Sequence, residues 1–274
     1  MVSSIRAIRV NHVNVVLEDH DAMIDHFDRM FTGRVVADLP RPEWHACIMD
    51  VGRVLFQLFA PHDFFLFTRY GPHHLGVEFQ IEDLAAARAV LAARDIRVAR
   101  ELGVAVHTHP ADCHGVSLEL YEGHFHDNPA VLQAPMLPAE YWRDEHPLGL
   151  TGLHGLTIVV HDLDAALADF AAILAHELID EHPRPVAGGT AIALHVGDAV
   201  LDLMAPDGDG PLRDHLLAHG EGIRSTVLRV RDLDRARDHF HRRGVELVPG
   251  AGPDTLAIPE TENLGVLFEL TEPR

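Results

Sequence analysis

The chain has 274 residues, 47% of them hydrophobic, and its 42 acidic side chains outnumber its 22 basic ones, which gives a formal net charge of −20. An acidic balance of this size disfavours nucleic acid and anionic membrane surfaces as partners. The sequence contains no lysine, which excludes Schiff-base chemistry and the phosphate-binding lysine of a Walker motif. We therefore expect a globular protein that acts on a small molecule.

Cysteine content and the lack of long apolar segments indicate the cellular compartment in which we expect the protein. Its two cysteines, Cys47 and Cys113, are too few for a disulfide framework. No apolar stretch approaches the length of a transmembrane helix, and the first residues lack the apolar core of a signal peptide. We expect a protein of the reducing cytoplasm with no membrane partner.

The first predicted unit opens with a β-rich run and continues into an amphipathic helix, in the segment HVNVVLEDHDAMIDHFDRMFTG from His12. Met23, Phe27 and Met30 recur at helical spacing and predict one buried face. Aspartate is a preferred residue at helix N-termini, so we expect this helix to start at Asp21.

The same order of elements returns further along the chain. The segment GLTIVVHDLDAALADFAAILAH, from Gly155, repeats the strand and the helix, with Asp164 as the expected helix start. The run VGRVLFQLFAPHD aligns without a gap with VGDAVLDLMAPDG, and GVSLELYE parallels GVLFELTE. The segment LGVEFQIEDLAAARAVLAARDI parallels STVLRVRDLDRARDHFHRRGV. A β-α-β-β-β order therefore occurs four times, in two tandem pairs.

Each pair has the length of an ordinary domain. We predict an N-terminal module over residues 6–124, a linker over 125–151 and a C-terminal module over 152–274. The linker is rich in proline and has no sustained period, which is typical of a connecting segment with at most one short helix. The predicted fold class is α+β.

This fourfold pattern resembles the vicinal oxygen chelate superfamily, which includes glyoxalases, methylmalonyl-CoA epimerases, extradiol dioxygenases and drug-resistance proteins. It is most similar to epimerase-type and glyoxalase-type modules placed in tandem, and the resemblance covers nearly the whole chain. The resemblance implies that the two units of a module curl their sheets into a cup. It also implies that a divalent metal ion is held inside the cup.

The resemblance further implies four metal ligands in the N-terminal module. They are His12 in the first strand, Gln57 in VLFQLFAP, the second histidine of the HH pair, His74, and Glu119 in VSLEL. Alternate side chains of a strand face the same side, so one ligand from each of several strands can converge. Two imidazoles, a carboxylate and an amide oxygen suit Co²⁺, Mn²⁺, Ni²⁺, Zn²⁺ or Fe²⁺. We expect one such ion and no organic cofactor.

The corresponding positions of the C-terminal module are occupied differently. Gly155 replaces the first histidine, Asp202 replaces the glutamine, and Arg224 and Ser225 stand where the epimerases carry paired histidines; only Glu269 is retained. Carboxylates without imidazoles make a poor transition-metal site. We therefore expect this module to lack the metal, and Arg224 either to bind an anion or to lie on the surface.

Two further groups of histidines lie near the end of the first module. The run AVHTHPADCH contains His107, His109, Cys113 and His114, and EGHFHD contains His124 and His126. Either group could bind zinc adventitiously. In a chain with 22 histidines we interpret them as solvated loop residues.

Three functions are open at this stage. The first is a metal-dependent isomerase, epimerase or lyase that stabilises an enolate or enediolate of a small oxygen-rich substrate, with Glu43 as the predicted general base and His45 as the alternative. The second is an Fe(II) extradiol-type ring-cleaving dioxygenase that uses His12, His74 and Glu119. The third is a protein that sequesters a drug or metabolite. In each case the partner is a small molecule and the chain is a monomer or a homodimer.

Overall fold

The computed structural model describes residues 3–62 and 66–273. Two curled eight-stranded sheets make up the fold, and each contains two β-α-β-β-β units, as the sequence predicts. The first sheet and its helices comprise β1 (Ala7–Val16), α1 (His20–Phe31), β2 (Arg34–Pro40), β3 (Trp44–Val51), β4 (Val54–Pro61), β5 (His73–Ile81), α2 (Leu84–Ala93), β6 (Val98–Leu102), β7 (Ala105–Thr108) and β8 (Ser117–Glu122).

The second sheet repeats this order with one additional helix, α4, inserted before its fifth strand. Its elements are β9 (Leu150–Val159), α3 (Leu163–Ile173), β10 (Glu177–Arg184), β11 (Gly189–Val196), β12 (Ala199–Pro206), α4 (Pro211–His219), β13 (Gly222–Val230), α5 (Leu233–His241), β14 (Val248–Pro249), β15 (Thr255–Ile258) and β16 (Leu267–Thr271). None of the helices in the described part of the chain combines the length and the apolar character that crossing a bilayer requires.

Helices α1, α2, α3 and α5 begin in the same way, directly after a capping aspartate. The carboxylate of each cap accepts a hydrogen bond from the backbone N–H three residues ahead, at 2.8 to 3.0 Å. The four caps are Asp19, Asp83, Asp162 and Asp232. The predicted helix starts at Asp21 and Asp164 are therefore wrong: both residues lie in the first turn, because an earlier aspartate already satisfies a free N–H group.

The first strand of each module lies at the centre of its sheet. Strand β1 pairs in parallel with β4 and antiparallel with β5, so it joins the two units of the first module. The resulting order is β2-β3-β4-β1-β5-β8-β7-β6, and the second sheet has the matching order β10-β11-β12-β9-β13-β16-β15-β14. Side chains from both units of a module therefore project from neighbouring strands onto the same face.

One face of each sheet packs against helices and against the other module. The ring centroids of Phe56 in β4 and Phe268 in β16 lie 5.3 Å apart, and those of Phe31 in α1 and Phe240 in α5 lie 5.9 Å apart. Buried apolar side chains of both modules form a single cluster across this contact, which we call the core face. The opposite, concave face of the first sheet is the cup that contains the candidate site.

The segment between the sheets is folded onto the protein. It contains a short π-helical turn, Tyr141–Glu145, whose Trp142 is fully buried. Upstream of this turn, Phe125, Leu132 and Met136 are buried in a small apolar cluster with cup-side residues of the first sheet. This part of the predicted linker therefore covers the cup.

Candidate metal centre

Three side chains with metal-ligand chemistry meet inside the first cup. His12 of β1, Glu78 of β5 and Glu119 of β8 each offer a ligand atom, and these atoms all lie within 4.8 Å of one another. The Nε2 atom of His12 is 3.2 Å from a carboxylate oxygen of Glu78. All three side chains are buried, with at most 5% of their surface exposed.

Strand register explains why these three positions meet. His12 is the cross-strand partner of Glu78, and Glu78 is in turn the partner of Glu119 on the other side. Opposed residues of neighbouring strands point to the same face of a sheet. The three side chains therefore form one row across the middle of the cup.

Three neighbouring residues hold the carboxylates in place. Asn11 donates its amide to Glu78 at 2.8 Å, and Asn14 donates to Glu119 at 3.3 Å. His107 of β7 lies on the far side of Glu119, with Nε2 at 2.9 Å from Oε1. These bonds orient the oxygens but leave each carboxylate with free acceptor positions.

Two buried carboxylates this close perturb each other's protonation. Burial, together with the charge of Glu119, raises the pKa of Glu78 to about 8. Burial also acts to raise the pKa of Glu119, but the adjacent His107 more than offsets it, and that pKa falls to about 2. Burial alone lowers the pKa of His12, whereas Glu78 and Glu119 raise it, and the net shift is upward. Without a cation, the buried pair holds a proton on Glu78.

The donor set fits a divalent cation. Within residues 3–62 and 66–273, neither ring nitrogen of His12 makes a hydrogen bond, although the ring is buried. Nε2 lies 3.2 Å from Glu78 without the alignment of a hydrogen bond, and buried polar atoms are normally hydrogen-bonded, so the ring and the two carboxylates are suited to share a cation. One imidazole nitrogen and two carboxylate oxygens are ligands that Zn²⁺, Mn²⁺, Co²⁺ and Fe²⁺ accept.

Two further predicted residues differ in their relation to this cluster. Gln57 of β4 is the cross-strand partner of Asn14, whose side chain reaches Glu119, so Gln57 lies on the cup face, half-buried. Glu43 is an exposed residue of the turn between β2 and β3, and its backbone oxygen accepts from His62 N at 3.0 Å. The structure shows no contact between Glu43 and the cluster.

The structure does not bring His74 into the cup. Asn14 of β1 pairs with Gly76 of β5, whereas the next residue, Val15, pairs with His74. Leu75 is therefore left without a partner and forms a β-bulge. The bulge turns His74 onto the core face, where it is paired with Val15 and donates from Nε2 to Leu267 O at 2.9 Å. The prediction that His74 converges with His12 is thus corrected: its imidazole lies at the contact between the modules.

The alternative base, His45, also lies outside the cup. Its ring stacks on that of His20 at 3.4 Å between centroids, and its Nε2 lies 2.7 Å from a carboxylate oxygen of Asp38. These three residues form a partly exposed group on the face of β3 that carries Cys47, opposite the cup.

Two cup residues, Glu78 and His107, are absent from the ligand set predicted from the sequence. A glutamate inside the apolar run LGVEF is a recognisable signal, because a buried strand seldom carries an unpaired charge. His107 was interpreted as a solvated loop residue, and this interpretation is wrong: it belongs to β7 and is 5% exposed. Its cross-strand pairing with Glu119 could not be read from the local sequence.

A cover of apolar side chains closes the cup. The ring of Phe125 meets the imidazole of His12 edge to face, with centroids 5.0 Å apart, and also contacts Tyr121. Backbone N–H groups of Gln133 and Ala134 donate to Val36 O, which fastens the segment to edge strand β2. A molecule that reaches the cluster from this side must displace the segment.

Replacing Phe125 by Ala should speed cation entry into the cup about tenfold, since an opening barrier lowered by about 1.4 kcal/mol has that effect. The rate of Co²⁺ uptake by metal-free protein, followed by visible absorbance, measures this. Leu217→Ala is the matched control, because Leu217 lies on α4 and is 77% exposed. An unchanged rate for Phe125→Ala would show that ions enter by another route.

The cup of the second module is chemically different. Glu269 is fully buried and accepts from Ser225 Oγ at 2.8 Å and from Ala251 N at 2.8 Å. Asp202 forms an ion pair with Arg184 at 2.8 Å. Each of these carboxylates thus accepts from an internal donor, and Arg184 supplies a positive charge in this cup.

Comparisons with known proteins agree with this architecture. A variant of 4-hydroxymandelate synthase from Streptomyces coelicolor is 14% identical and similar in fold, with a TM-score of 0.75 over 98% of this chain and 93% of that one. The methylmalonyl-CoA epimerase from Mycobacterium tuberculosis is 32% identical, with a TM-score of 0.43 over 46% of this chain and 89% of the epimerase. The comparison with curated proteins gave no match.

The sequence also matches a protein-family model. The model of the glyoxalase/bleomycin resistance protein/dioxygenase superfamily matches residues 154–257, in the second module. The similarity in fold to 4-hydroxymandelate synthase extends over both modules. The chain belongs to the glyoxalase/bleomycin resistance protein/dioxygenase superfamily, whose members include epimerases and dioxygenases.

Proposed function

We propose that the first module binds one divalent cation through His12, Glu78 and Glu119, and that the protein is a metal-dependent isomerase, epimerase or lyase. The observation that carries this proposal is the convergence of one buried imidazole and two buried carboxylates within 4.8 Å, in which neither ring nitrogen of His12 forms a hydrogen bond with a described residue. Gln57, on the same face, is available as a further oxygen ligand. Co²⁺, Mn²⁺, Ni²⁺, Zn²⁺ and Fe²⁺ are all compatible with this set.

A bound cation would supply a Lewis acid that stabilises negative charge on adjacent substrate oxygens. A small oxygen-rich substrate, such as a hydroxy ketone or a thioester, matches this chemistry because removal of a proton from its carbon places charge on those oxygens. Asn11 and Asn14 would keep the carboxylates oriented during the reaction. The apolar cover would exclude water and strengthen these interactions.

His107 is the residue we assign to proton transfer, in preference to the exposed Glu43. In the neutral form of His107 that donates from Nε2 to Glu119, the Nδ1 atom carries the lone pair. That atom is buried and has no hydrogen-bond partner in the described part of the chain. A base in this position could take the proton from a substrate carbon at Nδ1, while Glu119 holds the ring in the required tautomer.

The decisive experiment separates the three candidate functions. Metal-free protein is loaded with each cation in turn and tested for exchange of carbon-bound hydrogen with deuterated solvent, on a panel of hydroxy ketones and thioesters. Metal-dependent exchange without oxygen supports the proposal. Oxygen uptake with catechols after anaerobic loading of Fe²⁺ would replace it with a dioxygenase. Tight ligand binding without either reaction would leave a sequestering protein.

The role of His107 has its own prediction. His107→Gln should lower the exchange rate by about a hundredfold or more, as expected for loss of a general base, without releasing the cation. Glu43→Gln is the matched comparison and should leave the rate unchanged. The opposite pattern, a slow Glu43→Gln variant and an active His107→Gln variant, would identify Glu43 as the general base.

A further inference from the structure

A second cavity lies between the modules, away from the first cup. Its volume is about 220 Å³, and both modules contribute to its wall. Arg69, His73 and His74 come from the first module, and helix α4 of the second module adds His215 and His219. Basic and imidazole side chains thus surround a space in a protein whose net charge is −20.

The guanidinium of Arg69 is the central feature of this cavity. Its Nη1 atom is buried and has no hydrogen-bond partner among residues 3–62 and 66–273. Burial lowers the pKa of Arg69, and the carboxylate of Glu260 opposes this only in part. A partly buried guanidinium with a buried and unpaired N–H group is costly, so the site favours an added negative charge.

The imidazoles of α4 add neutral hydrogen-bonding groups to the cavity wall. His215 and His219 lie one turn apart on α4, with ring centroids 5.1 Å apart. Burial, together with the charges of His219 and Arg69, lowers the pKa of His215 to about 3. His73 is fixed by Gly71 O and Thr68 Oγ1, each at 2.7 Å. None of these side chains carries a negative charge that could neutralise Arg69.

The acidic side chain in the cavity wall is already engaged. Glu221 lies 2.9 Å from Nδ1 of His114 through Oε2, and its other oxygen accepts from His161 N at 2.7 Å. Its charge is therefore directed towards these two donors rather than towards Arg69.

We infer that this cavity is an anion site that binds a phosphate group, either as inorganic phosphate or as the phosphoryl end of an organic molecule. A guanidinium fork matches two phosphate oxygens, and the imidazoles of His215 and His219 can donate to the others. The volume is below the 300 to 1,000 Å³ typical of pockets that enclose drug-sized ligands, so it admits a small anion or one end of a larger molecule. This site is independent of the cation proposed in the cup.

Calorimetric titration with inorganic phosphate tests the inference, with chloride used to keep the ionic strength constant. EDTA is present throughout, so that phosphate cannot bind through a metal in the cup. We expect one phosphate per chain and a rise in the melting temperature. Phenyl phosphate, titrated in parallel, distinguishes the two sources: tighter binding than phosphate indicates the end of an organic molecule, and weaker binding indicates the free ion.

Arg69→Gln should weaken phosphate binding at least about tenfold, the loss expected for one charge-assisted hydrogen bond. Arg94→Gln, an exposed arginine at the end of α2, should bind as the wild type does. His219→Gln changes a mostly exposed side chain and should also weaken binding, which keeps the test available if Arg69→Gln does not fold. Absence of binding, or equal affinity in the wild type and these two cavity variants, would overturn the inference.

Discussion

Replacing Glu78 by Gln should abolish tight binding of divalent cations to the first cup. Gln has the same shape and can still accept from Asn11, but it removes one of the two negative charges that face His12. We expect Kd to rise by more than about a hundredfold, since even residues that only support a metal ligand change affinity by about 10- to 100-fold. Competition between the protein and a chelating dye for Zn²⁺ or Co²⁺ measures this change.

The matched control is His74→Gln, which separates the ligand set predicted from the sequence from the set that the structure brings together. His74 donates to Leu267 O at the contact between the modules, so its replacement should lower stability by about 1 to 3 kcal/mol. It should leave the Kd for the cation unchanged. Loss of cation binding in His74→Gln, with retention in Glu78→Gln, would show that His74 is a ligand and Glu78 is not, as the sequence predicts.

The fold was predictable because the chain repeats. Alternating strands and helical apolar spacing recur four times, and the matching runs from Val51 and Val196 become β4 and β12. The helix boundaries were less accurate. Near each predicted start two aspartates lie two positions apart, such as Asp19 and Asp21, and only the backbone geometry decides which one caps the helix.

The candidate site was predictable where a strand is regular. His12, Gln57 and Glu119 lie on the cup face, as alternation along β1, β4 and β8 requires. His74 was misplaced because Leu75 is a bulge, and a bulge depends on how two strands pair rather than on the sequence of one. Counted from Gly76, beyond the bulge, the same alternation places Glu78 in the cup.

The metal-free protein should lose stability as the pH rises from about 5 to 8. Glu78 has a folded-state pKa of about 8, well above its ordinary value of 4.5, so the folded protein binds more protons than the unfolded chain in this range. Stability therefore falls with pH, at a limiting slope of about 1.4 kcal/mol per pH unit for one proton. His12, whose pKa is also raised, adds a decline of the same sign above its ordinary value of 6.5.

Urea unfolding of EDTA-treated protein at several pH values measures this slope, and Glu78→Gln is the comparison. The variant lacks the titrating carboxyl, so it should match the wild type near pH 5 and become more stable than it by several kcal/mol near pH 8. General repulsion from the net charge of −20 acts on both proteins and cancels in their difference. With a saturating cation, the stability of the wild type alone should rise rather than fall with pH, because only the ionised site binds the cation. Parallel stability curves for the two metal-free proteins would show that Glu78 does not hold a proton in the folded protein at these pH values, and would contradict its raised pKa.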